Sequence, residues 1–339
     1  MSVIHFLNVL EGDCNIIQHD LGGRVTVIDV SNAYNDVDTA AEKAVKASYE
    51  RQVMLKANNY VPTNKTNYRQ KESPDNPIDY LNKLKVNEIW RFIVTHPDMD
   101  HLDGIKDLYS EFAITHTWDT NNNKEFAPSD KFVKYNREDW DFYKNIRDGK
   151  YTGTKRLTPH AGDEENYWKD DDIKILCPTP GLVKNANATG DYNDASYALL
   201  FTPLKKDGTR WKILFAGDTH DDSWDYILKN HKDEVANIDI LFAPHHGRDS
   251  SRKYDFLDVL KPRMTLFGNA SSDHLAYNKY PPIRITNNQA GYVVVKCLAY
   301  GLYIYVKNQE FMKDFRAKRK WDASTYSSTY DGYHLVTLK

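Results

Sequence analysis

Short apolar runs separated by polar, turn-forming stretches recur along most of this chain and read as strands. Residues 3–9, 14–19 and 25–30 read as three opening strands, with Leu21-Gly22-Gly23-Arg24 as the turn between the last two. Further strands are predicted over 88–94, 114–118, 173–177, 197–202, 211–216, 238–243 and 263–267. Strand-like runs over 292–295, 302–306 and 334–338 would finish a second sheet. Helical periodicity marks 40–57, 78–84, 102–112 and 253–260. Two polar stretches break the alternation, and the prediction is one domain over 1–339 with insertions at about 32–76 and 120–168.

Composition narrows the class. With 40% hydrophobic and 13% aromatic residues in 339, the chain can bury a large core and is not a disordered tail. A formal charge of −3 argues against a strongly basic nucleic-acid binder, although a balance near zero hides local patches. One such patch is 120–168, where Lys131, Lys134 and Arg137 lie among Tyr, Phe and Trp and would contact a nucleic-acid substrate. The acids there support a second reading, a solvated helix around 138–146. The basic tract 313–320 reads equally as a patch or as a solvated edge strand. Cys14, Cys177 and Cys297 are too scattered for a zinc pair and too few to be all bridged, which points to a reducing compartment. The start resembles no signal peptide, and no run approaches the roughly twenty apolar residues of a membrane span. The expectation is a cytoplasmic protein with no membrane contact.

The strongest chemistry follows the predicted strand 88–94. His96-Pro97-Asp98-Met99-Asp100-His101 packs four metal-capable side chains into six positions. Imidazole nitrogens and carboxylate oxygens suit Zn²⁺, Mn²⁺ or Fe, and a tight loop can aim His96 and Asp98 at one ion and Asp100 and His101 at another. The competing reading, a polar loop capping the next helix, needs one Asp rather than four ligands. Asp218, at the strand end Gly217-Asp218, and His245-His246-Gly247 offer further donors at the ends of apolar strands. Asp13 and Asp29 read either as groups that hold the histidines or as ordinary turn aspartates.

The motif resembles the H-x-H-x-D-H of the metallo-β-lactamase fold, with Asp98 where the second His usually stands, and H-P-D-x-D-H is similar to the ComEC-like branch of that family. Gly12-Asp13, Ile28-Asp29, Asn193-Asp194-Ala195-Ser196, Gly217-Asp218 and His245-His246-Gly247 extend the resemblance over 3–29, 78–112 and 173–274. It implies an α/β fold, an αββα sandwich of two mixed sheets with outer helices, and one or two Zn²⁺ or Mn²⁺ ions. It implies metal ligands among His96, Asp98, Asp100, His101, Asp218 and His245 or His246, with Asp218 bridging, and catalytic roles for Asp100, Asp218 and His274. The family's ligand His after the strand 173–177 is absent, so Asn193 or Asp194 would complete the first site or leave it the weaker one. The implied activity is that of a metal-dependent hydrolase, a phosphodiesterase or nuclease whose partner is a nucleic acid or phosphoester. Alternatives are hydrolysis of a small phosphoester, cyclic nucleotide or lactone, and a metal-stabilised binding module without catalysis.

Overall fold

The computed structural model describes residues 1–35, 68–163, 166–250, 252–270, 275–322 and 324–339. The predicted helix over 40–57 and His274 lie outside these residues.

The described strands are β1 (Ser2–Phe6), β2 (Asn15–Gln18), β3 (Val25–Ile28), β4 (Glu88–Ile93), β5 (Ala113–Trp118), β6 (Lys155–Leu157), β7 (Ile173–Cys177), β8 (Ala198–Phe201), β9 (Ile213–Phe215), β10 (Ile240–Phe242), β11 (Met264–Phe267), β12 (Arg284–Thr286), β13 (Val293–Leu298), β14 (Gly301–Val306), β15 (Tyr326–Ser327) and β16 (Gly332–Leu338). They form a ten-stranded sheet, β15-β16-β14-β13-β1-β2-β3-β4-β5-β6, and a six-stranded sheet, β12-β11-β10-β9-β8-β7. Both sheets are mixed. Antiparallel pairs β1/β2 and β2/β3 give way to parallel β3/β4/β5/β6, and antiparallel β7/β8 and β8/β9 give way to parallel β9/β10/β11/β12.

The two-residue period explains the layering, because successive side chains on a strand face opposite sides. Along β9, Ile213 and Phe215 enter the core between the sheets with Ile4, Phe6, Ile28 and Ile93. Leu214 points the other way, into a cluster with Trp224 and Ile227 of the helix Asp221–Asn230 and Phe256 and Leu260 of the helix Phe256–Leu260. β10 repeats the pattern, with Ile240 and Phe242 inward and Leu241 outward. On the other flank, Val3, Ile16 and Val27 pack with Leu81 of the helix Pro77–Lys83 and Leu108 of the helix Ile105–Glu111. The result is the αββα sandwich implied by the resemblance, with each sheet covered on both faces.

The C-terminal strands β13, β14 and β16, expected to finish the second sheet, instead extend the ten-stranded sheet outward from β1. Three further elements differ from expectation. The helix expected from 102 begins at Ile105, because Met99–His101 makes a 3₁₀ turn and Gly104 adopts φ 89°. A Cβ at Gly104 would lie 1.8 Å from the Ala33 carbonyl oxygen, so only glycine fits this approach. The helix expected to be solvated around 138–146 runs over Arg137–Arg147 and buries Trp140, Tyr143 and Ile146 in the outer cluster of the larger sheet. The tract 313–320 is no edge strand: Gln309–Ala317 is a helix, capped by the Asn308 side chain, with Phe311, Met312 and Phe315 buried. Segment 120–168 also supplies edge strand β6 and Trp168, which packs edge-on against Trp118 at 5.3 Å in the inter-sheet core. Among the described residues no helix is long and apolar enough to cross a membrane.

One buried charge cluster joins the two sheets. Arg91 of β4, fully buried, donates to Asp171 Oδ2 at 2.9 Å and to Thr26 Oγ1 at 2.9 Å, and its guanidinium lies 4.9 Å from the Trp118 ring centroid. Asp171, just before β7, also accepts from Arg24 Nε at 2.9 Å. Removing one member of a buried pair strands the other charge in low dielectric, at a cost of about 3–5 kcal/mol. Asp171→Ala is therefore expected to lower unfolding free energy by about that amount in urea titrations, while Asp170→Ala, on an exposed neighbour, stays within about 0.5 kcal/mol. Equal effects of the two substitutions would show that the cluster does not tie the sheets.

Candidate metal centre

The parallel strands of both sheets deliver their carboxyl ends to one edge, and the site is assembled there. β3 runs into Asp29, β4 into Thr95-His96, β9 into Gly217-Asp218 and β10 into His245-His246. Asp29, in the left-handed region at φ 57°, organises the first loop. Its carboxylate accepts from the Thr95 N–H at 2.7 Å, from the Thr95 hydroxyl at 2.7 Å and from His101 Nδ1 at 2.8 Å. The Thr95 hydroxyl spends its hydrogen on Asp29, so its oxygen accepts from His96 Nδ1 at 3.1 Å. Both imidazoles thus carry the proton on Nδ1 and turn the Nε2 lone pair inward.

Asp218 stands opposite. Gly217 takes φ 51° where a Cβ would lie 2.3 Å from Ser196 Oγ, and that hydroxyl accepts from the Asp218 N–H at 3.1 Å. The Asn-x-x-Ser stretch thereby contributes Ser196 as the support of Asp218. His245, His246 and Gly247 are three successive left-handed residues, at φ 52°, 55° and 79°. Strained backbone of this kind persists only where surroundings enforce it. It presents both imidazoles to the centre, with His246 Nδ1 lying 3.2 Å from Asp13 Oδ1. Asp13 is brought in by Gly12, which bridges to Asn269 and at which a Cβ would fall 1.8 Å from the Asp100 carbonyl oxygen.

Four imidazoles surround one carboxylate. His101 Nε2 is 3.5 Å from Asp218 Oδ1, while His245, His96 and His246 Nε2 are 3.6, 3.7 and 3.7 Å from Oδ2. Asp98 Oδ2 lies 3.6 Å from His96 Nε2, and Asp100 Oδ2 lies 3.4 Å from His246 Nε2 and 4.0 Å from His101 Nε2. These gaps exceed hydrogen bonds, and His96 Nε2, His101 Nε2, His246 Nε2 and Asp218 Oδ1 are buried without a hydrogen-bond partner. Donors bound at about 2.1 Å in a tetrahedron stand about 3.4 Å apart, so the spacing fits donors sharing a cation. His96, His101 and Asp218 form one cluster able to hold a metal ion, and Asp100, His101 and His246 form another.

The electrostatics agree. Burial works against charge on Asp218, yet the imidazoles of His246, His101, His245 and His96 outweigh it and hold the carboxyl well below its usual range. Burial likewise opposes charge on Asp100, and His101 and His246 bring it to about 2. Burial alone would depress His246, but Asp218 and Asp13 push it up to about 10. His101 is raised well above its ordinary value against its burial, chiefly by Asp218 and Asp29. Burial dominates at His245 and lowers it to about 4. The carboxylates call for positive charge at their centre, which divalent ions supply without protonating the imidazoles.

Of the residues singled out in the sequence, His96, Asp98, Asp100, His101, Asp218, His245 and His246 come together. Asn193 and Asp194 lie outside this group, although Asp194 joins Asp191 and His220 in a third, more exposed cluster able to hold a metal ion. Asp194 Oδ1 accepts from the N–H groups of Asp222 and Ser223 at 3.0 and 3.4 Å, at the start of the helix Asp221–Asn230, and Asn193 Nδ2 lies 3.4 Å from His220 Nε2. His274 is outside the described residues. Sequence reasoning placed Lys124 only among the cations of segment 120–168 and not on Asp98 Oδ1, and it passed over the pair Asp191 and His220 behind His245. The position of His220, two residues after Asp218, was the available signal.

No family model and no curated protein sequence matches the chain. Among solved structures it is similar to a diphosphatase of the PhnP family, at 11% identity and TM-score 0.41 over 84% of this chain and 94% of that one. It is also similar to Igni18, a metallo hydrolase from the hyperthermophilic archaeon Ignicoccus hospitalis, at 13% identity and TM-score 0.40 over 100% and 99% of the two chains. A third is the metallo-β-lactamase MIM-1 from Novosphingobium pentaromativorans, at 12% identity and TM-score 0.30 over 69% and 70%. At these values the similarity bears on neither substrate nor mechanism.

Because Asp29 fixes both His96, through Thr95, and His101, its loss should disorder donors rather than remove one. Asp29→Ala is expected to weaken metal binding by roughly 10–100-fold in chelator competition, with the fold retained by circular dichroism. Wild-type affinity in the folded variant would show that Asp29 is only a turn residue.

Proposed function

We propose that the chain is a two-metal hydrolase of phosphodiesters. The carrying observation is the carboxylate of Asp218, ringed at 3.5–3.7 Å by four imidazole Nε2 atoms, with Asp98 and Asp100 alongside. In this reading His96 and Asp98 hold one ion, Asp100, His101 and His246 hold the second, and Asp218 lies between them. Such ions supply Lewis acidity, lowering the pKa of a water and neutralising charge that develops on the oxygens of a phosphoryl centre.

The residues themselves set the charge. Asp98, Asp100 and Asp218 against two divalent ions leave one net positive charge and Lys124 on Asp98 adds another, while the Asp13 and Asp29 carboxylates behind His246 and His101 take two away. Lys124 and the ions would therefore attract an anionic diester locally rather than through a net charge of the whole centre. The mixed set of imidazole nitrogens and carboxylate oxygens suits Mn²⁺ as well as Zn²⁺. Substrate length is a separate question. Lys134 reaches Glu11 at 3.1 Å, Arg137 donates to the carbonyls of Ala127 and Phe126, Arg147 pairs with Glu125, and Arg156 pairs with Asp119. Cations engaged this way are poor phosphate tracks, which favours a short diester over a long nucleic-acid strand.

Metal-stripped protein should be reloaded with Zn²⁺ or Mn²⁺ and assayed on bis(4-nitrophenyl) phosphate, 4-nitrophenyl phosphate, single-stranded DNA, RNA and a lactone. Metal-dependent turnover of the diester at least tenfold above the lactone is expected, with Asp218→Ala folded and inactive. Lactone turnover exceeding that of every phosphoester would overturn the reading. Processive cleavage of long strands would move it to a nuclease. An active Asp218→Ala would remove the bridging role.

A further inference from the structure

The loop after β7 carries no histidine where the metallo-β-lactamase motif has one, which leaves His96 and Asp98 short of a third donor besides the shared Asp218. His245 is placed to supply it. Its Nε2 faces Asp218 Oδ2 at 3.6 Å, an oxygen that His96 and His246 Nε2 also face, each at 3.7 Å; His246 is drawn to the other side by Asp100 Oδ2 at 3.4 Å, which leaves His245 as the imidazole next to His96.

The groups behind His245 determine which of its nitrogens carries the proton. Asp191 Oδ2 lies 3.1 Å from His220 Nδ1, and an ionised carboxylate only accepts, so His220 donates from Nδ1 and keeps a lone pair on Nε2. The Asn193 amide nitrogen, a donor, faces that same Nε2 at 3.4 Å and agrees with this assignment. His220 Nε2 is 3.2 Å from His245 Nδ1, so His245 supplies the hydrogen from Nδ1. Ser250 Oγ, 2.9 Å from the same Nδ1, has a lone pair beside the one that accepts from Arg252 Nη2 at 3.0 Å and can share this hydrogen. His245 Nε2 then turns a lone pair towards the Asp218 carboxylate. Two lone-pair centres facing each other repel unless a cation stands between them.

We propose that Asp191 and His220 are positioning residues that set the tautomer of His245, making it the third side-chain donor, with His96 and Asp98, of the first ion. His245 and His246 are then both ligands, to different ions. This rests on the two-ion reading above.

The test is titration of Zn²⁺, and of Co²⁺ with its visible absorption, into the metal-stripped full chain, with ions counted by native mass spectrometry. Wild type is expected to take up two ions. His220→Ala should keep one at wild-type affinity and weaken the other by roughly 10–100-fold, with an altered Co²⁺ spectrum. His220→Gln, whose Oε1 can accept from His245 Nδ1, should recover most of that loss, and a merely space-filling role would not distinguish acceptor from non-acceptor. Asp191→Asn, at a half-exposed carboxylate, should weaken the same ion to a smaller degree and serves if His220→Ala does not fold. Uptake of two ions by wild type and His220→Ala with equal affinities overturns the inference alone, as does a Gln variant no better than Ala. Uptake of fewer than two ions by wild type overturns the two-ion reading and the inference with it.

Discussion

A buried carboxylate cannot stay ionised unless positive charge or hydrogen bonds surround it, and at Asp218 the surrounding atoms are four imidazole nitrogens at distances too long for hydrogen bonding. The structure around this point keeps those nitrogens aimed at the centre. Asp29 holds His101 directly and His96 through Thr95, while Asp13 lies against His246. Asp29 and the Thr95 hydroxyl accept from the outer ring nitrogens and so turn Nε2 of His101 and His96 inward. A group of donors ordered in this way is arranged for cations in advance of their binding, so little reorganisation accompanies loading.

The sandwich makes this convergence possible because parallel strands of both sheets end at one edge, so short loops reach a common point from both layers. The approach is close enough that backbone would collide with ordinary side chains. Gly12 meets the Asp100 carbonyl, Gly217 meets Ser196, and Gly247, at φ 79°, lies against the Phe267 ring. Glycine at these positions trades chain entropy for proximity, and the large inter-sheet core anchored by Arg91 and Asp171 offsets that cost.

Legibility in the sequence followed the distance over which each feature is determined. Strands with both faces covered announce themselves through dense Val, Ile and Leu, and the ligand loops follow them directly, so His96 to His101, Gly217-Asp218 and His245-His246 could be read locally. The helix Pro180–Thr189 was missed because only Val183 and Ala186 of its face are buried, although Thr179 caps it and Pro180 starts it. Gln309–Ala317 was misread because its basic residues masked the spacing of Phe311, Met312 and Phe315. Lys124 on Asp98, and Asp191 and His220 behind His245, depend on loops brought together only by the fold. Periodicity carries no information about such pairings.

Asp98 stands where the motif that the sequence resembles has a second histidine. In the two-ion reading proposed above a carboxylate there would add negative charge beside the first ion, and Lys124, held between the rings of Phe126 and Tyr192 at 5.3 and 5.5 Å, binds the carboxylate oxygen on the outer side. That contact leaves Asp98 Oδ2 facing His96 Nε2 at 3.6 Å as the oxygen available inward, and burial is outweighed by His96 and Lys124 in keeping the group ionised. Segment 120–168, remote in sequence from the other loops, therefore reaches the centre through one lysine. Lys124 thus offsets the charge of Asp98 on the side away from His96, a balance that the proposed two-ion reading would place where an anionic substrate approaches.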